Sequence, residues 1–187
     1  STMFSTCNGL TTLNVSGWDT SSLKNMSRTF TGCAKLTTLD LSHFKVDSVT
    51  DMSGMFNGCS SLTTPNLSNW NTSAVSNIGG MFQGCAKLTN LDLSHFKVDS
   101  VTNMSSMFSG CVSLTSLDIS NWNVEKVTSM NSMFFNCTSL VSLDLSNWNT
   151  IAIKDIASMF NACYVLEEIK GIENFNTDNV TNMTQTF

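Results

Sequence analysis

Three kinds of side chain in this sequence could do chemistry, and each recurs at a fixed interval. Cysteines stand at Cys7, Cys33, Cys59, Cys85, Cys111, Cys137 and Cys163, each 26 residues after the last. Thiols at such positions could ligate a metal or act as nucleophiles. A second set, Asn14, Asp40, Asn66, Asp92, Asp118 and Asp144, keeps the same interval and ends in three consecutive carboxylates. Carboxylates in a row could hold a hard cation such as Ca²⁺. The third set is His43 and His95, 52 residues apart, the residue type best suited to proton transfer near neutral pH.

The elements that must position these residues follow from a single repeat. Between Cys33 and Cys59, Leu36, Leu39 and Leu41 follow the cysteine, and the last two flank Asp40 with the alternation of a strand. Leu39 and Leu41 therefore point inward, while Thr38, Asp40 and Ser42 point outward. Val49, Met52, Met55, Phe56 and Cys59 then fall 3, 3, 1 and 3 apart, which predicts a short helix with one apolar stripe. Asp47 or Ser48, and Thr72 or Ser73 one repeat later, would cap it. Between strand and helix lies an aromatic corner, Trp18, Phe44, Trp70, Phe96, Trp122 and Trp148. In the "MFNGC" segment Met and Phe would be the inner face, and Gly58, like Gly32, Gly84 and Gly110, would let the chain turn before the cysteine.

One such unit has nothing to bury its apolar face against until a second unit stacks on it. The expected fold is an α/β repeat solenoid of the leucine-rich-repeat type, right-handed, with one parallel strand and one short helix per 26-residue turn. Residues 1–187 form a single solenoid, with units ending at the seven cysteines. The sequence begins and ends inside a repeat, so it is expected to be a fragment of a longer array.

This placement weighs on the chemistry. Cysteines in one row lie about 4.8 Å apart on adjacent turns, but parallel side chains point the same way, so free buried thiols are expected rather than disulfides. The histidines would be about 10 Å apart, too far to share a proton or an ion, and their surroundings are near copies of each other. The carboxylates Asp92, Asp118 and Asp144 would repel one another by roughly 1 kcal/mol per pair in water. Two readings stay open for that row: a weak Ca²⁺ site or ligand-binding face with Ser94, Ser120 and Ser146 alongside, or a solvated row that keeps an open sheet face from aggregating. A Thr row, Thr12, Thr38 and Thr64, could suit ice or polysaccharide, but it decays to Asn90, Ser116 and Ser142. No Ser-His-Asp order, phosphate-binding glycine loop or zinc spacing is present.

The whole unit, C-x-x-L-x-x-L-D-L-S-x-W-N-T-x-x-V-x-x-M-x-x-M-F-x-x-C, resembles the BspA-like leucine-rich repeats of bacterial surface proteins and lipoproteins. It departs from ordinary leucine-rich repeats in having Trp or Phe where an Asn usually follows the strand. The resemblance implies surface display, adhesion and contact with host or neighbouring cells, and it implies no catalytic residues.

Composition agrees with that class. The net charge of −5 argues against a nucleic-acid groove, and no apolar run is long enough to span a membrane. Charged residues make up only 12% of the chain, so Ser, Thr and Asn must form the surface. The expectation is a non-enzymatic, cell-surface or extracellular module with no cofactor beyond weak Ca²⁺. Its ligand face would be Asp40, Asn66, Asp92, Asp118 and Asp144, with Asp92, Asp118 and Asp144 as the cation ligands. The partner would be a protein or glycan on a host or neighbouring cell, and self-association along the solenoid is a further expectation. The rival is a structural stalk or filament spacer, favoured by outer positions nearly as monotonous as the core. Two irregularities stand out: Pro65 should kink its strand, and one extra residue near Lys170 and Gly171 should form a bulge.

Overall fold

The computed structural model describes residues 2–187. The chain coils into stacked turns, and the repeating apolar positions form one continuous core along the stack. Phe30, Phe56, Phe82, Phe108 and Phe134 are fully buried, as are the cysteines from Cys33 to Cys137 and the Met pairs Met52/Met55 and Met104/Met107. Each such side chain is worth about 1.5–3 kcal/mol of burial, and only the coils on either side supply the surface that buries it.

The strand half forms where expected, but not in every coil. Strands β1 (Thr38–Asp40) and β2 (Thr64–Asn66) pair in parallel, as do β3 (Ser142–Asp144) and β4 (Glu168–Lys170). Their burial alternates with Leu39 and Leu143 inward. Pro65 is the middle residue of β2 and pairs with Leu39. It has no N–H to give a ladder, and β2 has no second strand partner among the described residues. The coils through Leu91 and Leu117 follow without strand pairing, so the uniform ladder expected along the leucines is broken in the middle.

The unbroken ladder lies on the opposite side of each coil. Single-residue parallel bridges link Asn25, Asp51, Asn77, Asn103, Ser129, Asp155 and Asn182 in succession. Beyond these, alternate N–H groups donate to the coil that follows. Met52, Gly54, Phe56 and Gly58 donate to the carbonyls of Asn77, Gly79, Met81 and Gln83 at 3.0, 2.8, 2.9 and 2.7 Å. The intervening N–H groups close turns within the coil, Met55 to Met52 at 3.2 Å and Cys59 to Phe56 at 3.0 Å.

The short helix expected over Val49 to Cys59 is therefore not formed. Gly54 and Gly58 have φ of +59° and +73°, as the third residue of a type II turn requires, and one left-handed residue in four is incompatible with a helix. The apolar spacing misleads because a run of turns bonded i to i−3 repeats every three residues, close to a helical period. The residue before cysteine does turn the chain as its glycines suggest. Gly32, Gly84 and Gly110 share the positive φ, and Asn136 and Ala162 adopt it without being glycine.

Stacking distances differ between the two sides. Neighbouring rings in the Phe column lie 5.4–5.9 Å apart. At the aromatic corner the stacked pairs Trp18–Phe44, Trp70–Phe96 and Trp148–Phe175 lie 6.3–6.5 Å apart. Like rings thus stack on like in the Phe column, while the corner stacks indole on phenyl at a wider centroid spacing. The extra residue in the last repeat is absorbed at Gly171, with φ +81° at the start of a 3-10 helix, Ile172–Asn174. A Cβ there would lie 2.4 Å from the Cα of Ser146, so only glycine lets the coils close.

Candidate functional site

The outward row on the strand side is built from Asx turns. In each coil the Oδ1 of the row residue accepts the N–H two residues on: Asn14 from Ser16, Asp40 from Ser42, Asn66 from Ser68, Asp92 from Ser94, Asp118 from Ser120 and Asp144 from Ser146, at 3.0–3.3 Å. The serine hydroxyls of Ser94, Ser120 and Ser146 add a second bond to the same oxygen at 2.7, 2.9 and 2.6 Å. The sequence reason is the D-x-S and N-x-S spacing, since a short side-chain oxygen reaches the backbone two residues ahead.

These bonds set the electrostatics of the row. Backbone donation from Ser42 holds the Asp40 carboxyl below the ordinary carboxylate range. The hydroxyl and then the N–H of Ser94 do the same for Asp92, and those of Ser146 for Asp144, where Lys170 adds a smaller attraction. All three carboxylates are exposed.

Of the five expected ligand-face residues, two are brought into one concavity. Asp118 and Asp144 line an open groove of about 350 Å³ with Ser116, Ser142, Glu168 and Lys170. Asp40, Asn66 and Asp92 sit on other coils outside it. The three carboxylates expected to hold a cation stay one per coil. Among the described residues no three His, Cys, Asp or Glu side chains converge on a point where one metal could sit. Each carboxylate has committed one oxygen to its own turn, so the row offers a cation separate single ligands rather than a cage.

The histidines serve the stack. His43 Nε2 lies 2.8 Å from the Val15 carbonyl, and His95 Nε2 lies 2.9 Å from that of Leu67. In the other coils the equivalent carbonyl is met by an indole: Trp70 Nε1 donates to Leu41, Trp122 to Leu93 and Trp148 to Ile119, at 2.9, 3.4 and 3.1 Å. Each histidine also sits edge-on to the next residue's ring, His43 to Phe44 at 5.0 Å and His95 to Phe96 at 5.2 Å. From His43 to Trp148 the chain therefore writes either His-Phe or a residue without a ring nitrogen followed by Trp, while the last coil has Asn174-Phe175 and no ring nitrogen there. Each pair puts one ring nitrogen on the same carbonyl. That exchange is visible in the sequence as "SHFK" against "SNWN", but its meaning is not.

The thiols are free and, from Cys33 to Cys137, buried. Each donates to the carbonyl of a Phe in the coil before, as Cys59 does to Phe30 at 3.1 Å and Cys111 to Phe82 at 3.2 Å. Burial pushes the Cys59 and Cys111 thiols up to about 12, and those of Cys85 and Cys137 also well up. They are core residues with the thiol proton held in place. Sequence reasoning missed a second Asx row, Asn25, Asp51, Asn77, Asn103, Asp155 and Asn182, whose Oδ1 atoms cap the N–H two residues on along the continuous ladder. Its signal is the Asn or Asp standing directly before the first inward Met or Ile of each turn.

The sequence matches the family model described as Mycoplasma protein of unknown function, DUF285, over residues 1–116 and again over residues 86–187. The chain belongs to the DUF285 family. Among curated protein sequences none matches this DUF285 chain. Among solved structures it is similar to the leucine-rich repeat protein of T. pallidum, at 22% identity and a TM-score of 0.54, covering 80% of this chain and 64% of that one. That likeness shows the leucine-rich-repeat solenoid, and the chain spans 64% of that relative's length. A leucine-rich cell surface protein of Faecalibacterium prausnitzii is similar at 16% identity and a TM-score of 0.39, covering 91% and 75%. An internalin of Listeria monocytogenes is similar at 20% identity and a TM-score of 0.39, covering 74% and 35%. Among the described residues no helix is long and apolar enough to cross a membrane.

Proposed function

We propose that this chain is a cell-surface or secreted recognition module that binds a protein or glycan of a host or neighbouring cell through its outward strand face. The observation that carries the reading is the groove between Asp118 and Asp144, where carboxylates already fixed by their serines stand beside Glu168 and Lys170. Groups ordered before contact lose little conformational entropy on binding, and rigid repeats extend such a surface over several coils. The resemblance to BspA-like repeats supports surface display. The reading is non-enzymatic, because the histidines and the interior thiols are engaged in holding coils together.

A spacer is the second reading, and it rests on a specific observation. The bridge ladder runs without interruption from Asn25 to Asn182, a construction suited to carrying other domains at a distance. A panel of immobilised glycans and extracellular-matrix proteins separates the two. Saturable binding by the chain, reduced at least tenfold in Asp118→Asn/Asp144→Asn, supports recognition. Uniform lack of binding, or binding indifferent to those substitutions, leaves the spacer. Titration with CaCl₂ in the same assay tests cation dependence. Single carboxylate ligands on separate coils predict an affinity no tighter than about the millimolar range of weak extracellular sites.

A further inference from the structure

On the turn side, the two positions after the first inward Met or Ile vary from coil to coil. The first reads Ser27, Ser53, Gly79, Ser105, Asn131 and Ala157, and the second reads Arg28, Gly54, Gly80, Ser106, Ser132 and Ser158. Gly79-Gly80 is the only pair of adjacent glycines in the chain. With Gly54 they open a groove of about 230 Å³ that runs from Arg28 across the next three coils to Ser106, inside the stack.

Polar side chains lean over the space that the missing Cβ atoms leave. A Cβ on Gly54 would lie 3.3 Å from Arg28 Cγ, one on Gly80 3.2 Å from Gln83 Oε1, and one on Gly79 3.0 Å from Asn103 Nδ2. Gln83 Oε1 accepts from Asn57 Nδ2 at 2.8 Å, and Asn103 Oδ1 accepts from the Ser105 N–H at 2.9 Å. Each of these two amides therefore keeps its NH₂ group for a ligand. Arg28, the one arginine of the chain, has no ion pair among the described residues, and no carboxylate lines the groove. Asp51, two residues before Ser53, is outside the lining and is engaged by the Ser53 N–H and the Asn25 amide at 2.9 and 3.4 Å. The groove is thus rich in donors and holds an unpaired positive charge. An aromatic ring extends it. Phe135 stands in the row of Asn57 and Gln83, is 39% exposed, and is separated from Gln83 only by the small, buried Ser109.

We propose that this turn-side groove binds a carboxylate-bearing saccharide. The Arg28 guanidinium takes the carboxylate through two parallel hydrogen bonds. Gln83 and Asn103 donate to ring hydroxyls, and Phe135 receives the C–H face of a further sugar, since an aromatic ring offers apolar area at little cost in side-chain freedom. Arg28 and Phe135 lie four coils apart, roughly 19 Å at the spacing of a parallel ladder, so the span fits an oligosaccharide rather than a single ring. The site lies across each coil from Asp118 and Asp144, and it stands independently of the strand-face reading.

Proton–nitrogen correlation spectra of the whole chain test it, titrated with a tetrasaccharide of galacturonic acid and with its carboxyl-reduced form. The side-chain NH₂ signals of Gln83 and Asn103 should shift saturably with the acidic sugar. Affinity should fall about tenfold or more for the reduced form and for Arg28→Gln, as loss of one charged hydrogen-bonded pair implies. Gly79→Ser/Gly80→Ser refills the floor with the residues of the next coil, Ser105 and Ser106, so circular dichroism should match the parent while the shifts disappear. If that variant loses structure, Arg28→Gln at an exposed position carries the test. Phe135→Ser should weaken binding without abolishing it, and Asp118→Asn/Asp144→Asn should bind as the parent does. Absence of a saturable shift, equal affinity for the reduced sugar, or unchanged affinity in Arg28→Gln would overturn the proposal. Loss of binding in Asp118→Asn/Asp144→Asn would also overturn it, by putting the sugar on the strand face.

Discussion

The exchange between His-Phe and Asn-Trp makes a quantitative prediction at His95 and Phe96. His95 Nε2 supplies one of two donors to the Leu67 carbonyl, and the N–H of Trp70 supplies the other at 3.1 Å. Replacing His95 with Asn, the residue found beside Trp122 and Trp148, removes the ring nitrogen but does not orphan the carbonyl. The cost should be that of a net hydrogen bond, about 1 kcal/mol, rather than the larger penalty of a buried group left unmade. Adding Phe96→Trp should restore an indole N–H to the same oxygen, since Trp122 and Trp148 already occupy this column in consecutive coils and fit it. His95→Asn/Phe96→Trp should therefore lie within a few tenths of a kcal/mol of the parent, with a coupling of about 1 kcal/mol between the two substitutions. Urea unfolding followed by circular dichroism measures all four corners, and for a chain of this size the single variant should lose about 2–4 °C in Tm. If the double variant is no more stable than His95→Asn, the two ring nitrogens do not substitute for one another and the argument fails.

Four other outcomes follow from the same structure. Gly171→Ala should cost more than about 3 kcal/mol, because a Cβ would strike the backbone of Ser146 in addition to the left-handed strain; a loss below about 1 kcal/mol in chemical denaturation would contradict the contact. Ala162→Gly should stabilise by about 0.5–1 kcal/mol by relieving φ +62° at a position that other coils fill with glycine, read as a higher urea midpoint. A disulfide reagent at pH 8 should label Cys7 rapidly and the buried thiols only as fast as the stack opens; fast labelling of Cys85 or Cys111 would refute their burial. The depressed carboxyls of Asp40, Asp92 and Asp144 make folding more favourable above the ordinary carboxylate pKa of about 3.9. That contribution is lost as pH falls through the lowered native values, so stability should drop below about pH 4 and Ser146→Ala should blunt Asp144's share. NMR titration of the Asp144 carboxyl checks the sign.

Much of the architecture is legible in the residues alone. The interval between cysteines fixes the length of a coil, and the alternation around Leu39 and Leu143 fixes which strand side chains face inward. Burial of every interior cysteine follows from its place in an apolar row. The glycine before the cysteine likewise announces a left-handed residue, which Gly32, Gly58, Gly84 and Gly110 adopt. The ligand row was readable as outward, but the Asx turns that organise it and the grouping of Asp118 with Lys170 were not.

What only the tertiary structure decided traces to partners about one coil away in sequence. A run of apolar residues three apart suits a helix or a chain of turns equally well, and the choice depends on whether the N–H of Phe56 finds a carbonyl four residues back or at Met81 in the next coil. No local pattern contains that information. Nor could the sequence say that strand pairing would lapse through the coils of Leu91 and Leu117, which carry no proline, while the ladder from Asn25 to Asn182 stays whole. The histidines make the point most plainly: their spacing was visible from the start, but their role depends on the carbonyls of Val15 and Leu67, which stacking alone brings within reach. Sequence periodicity specifies what each coil must bury, and hydrogen bonds between coils decide how its backbone is shaped to do so.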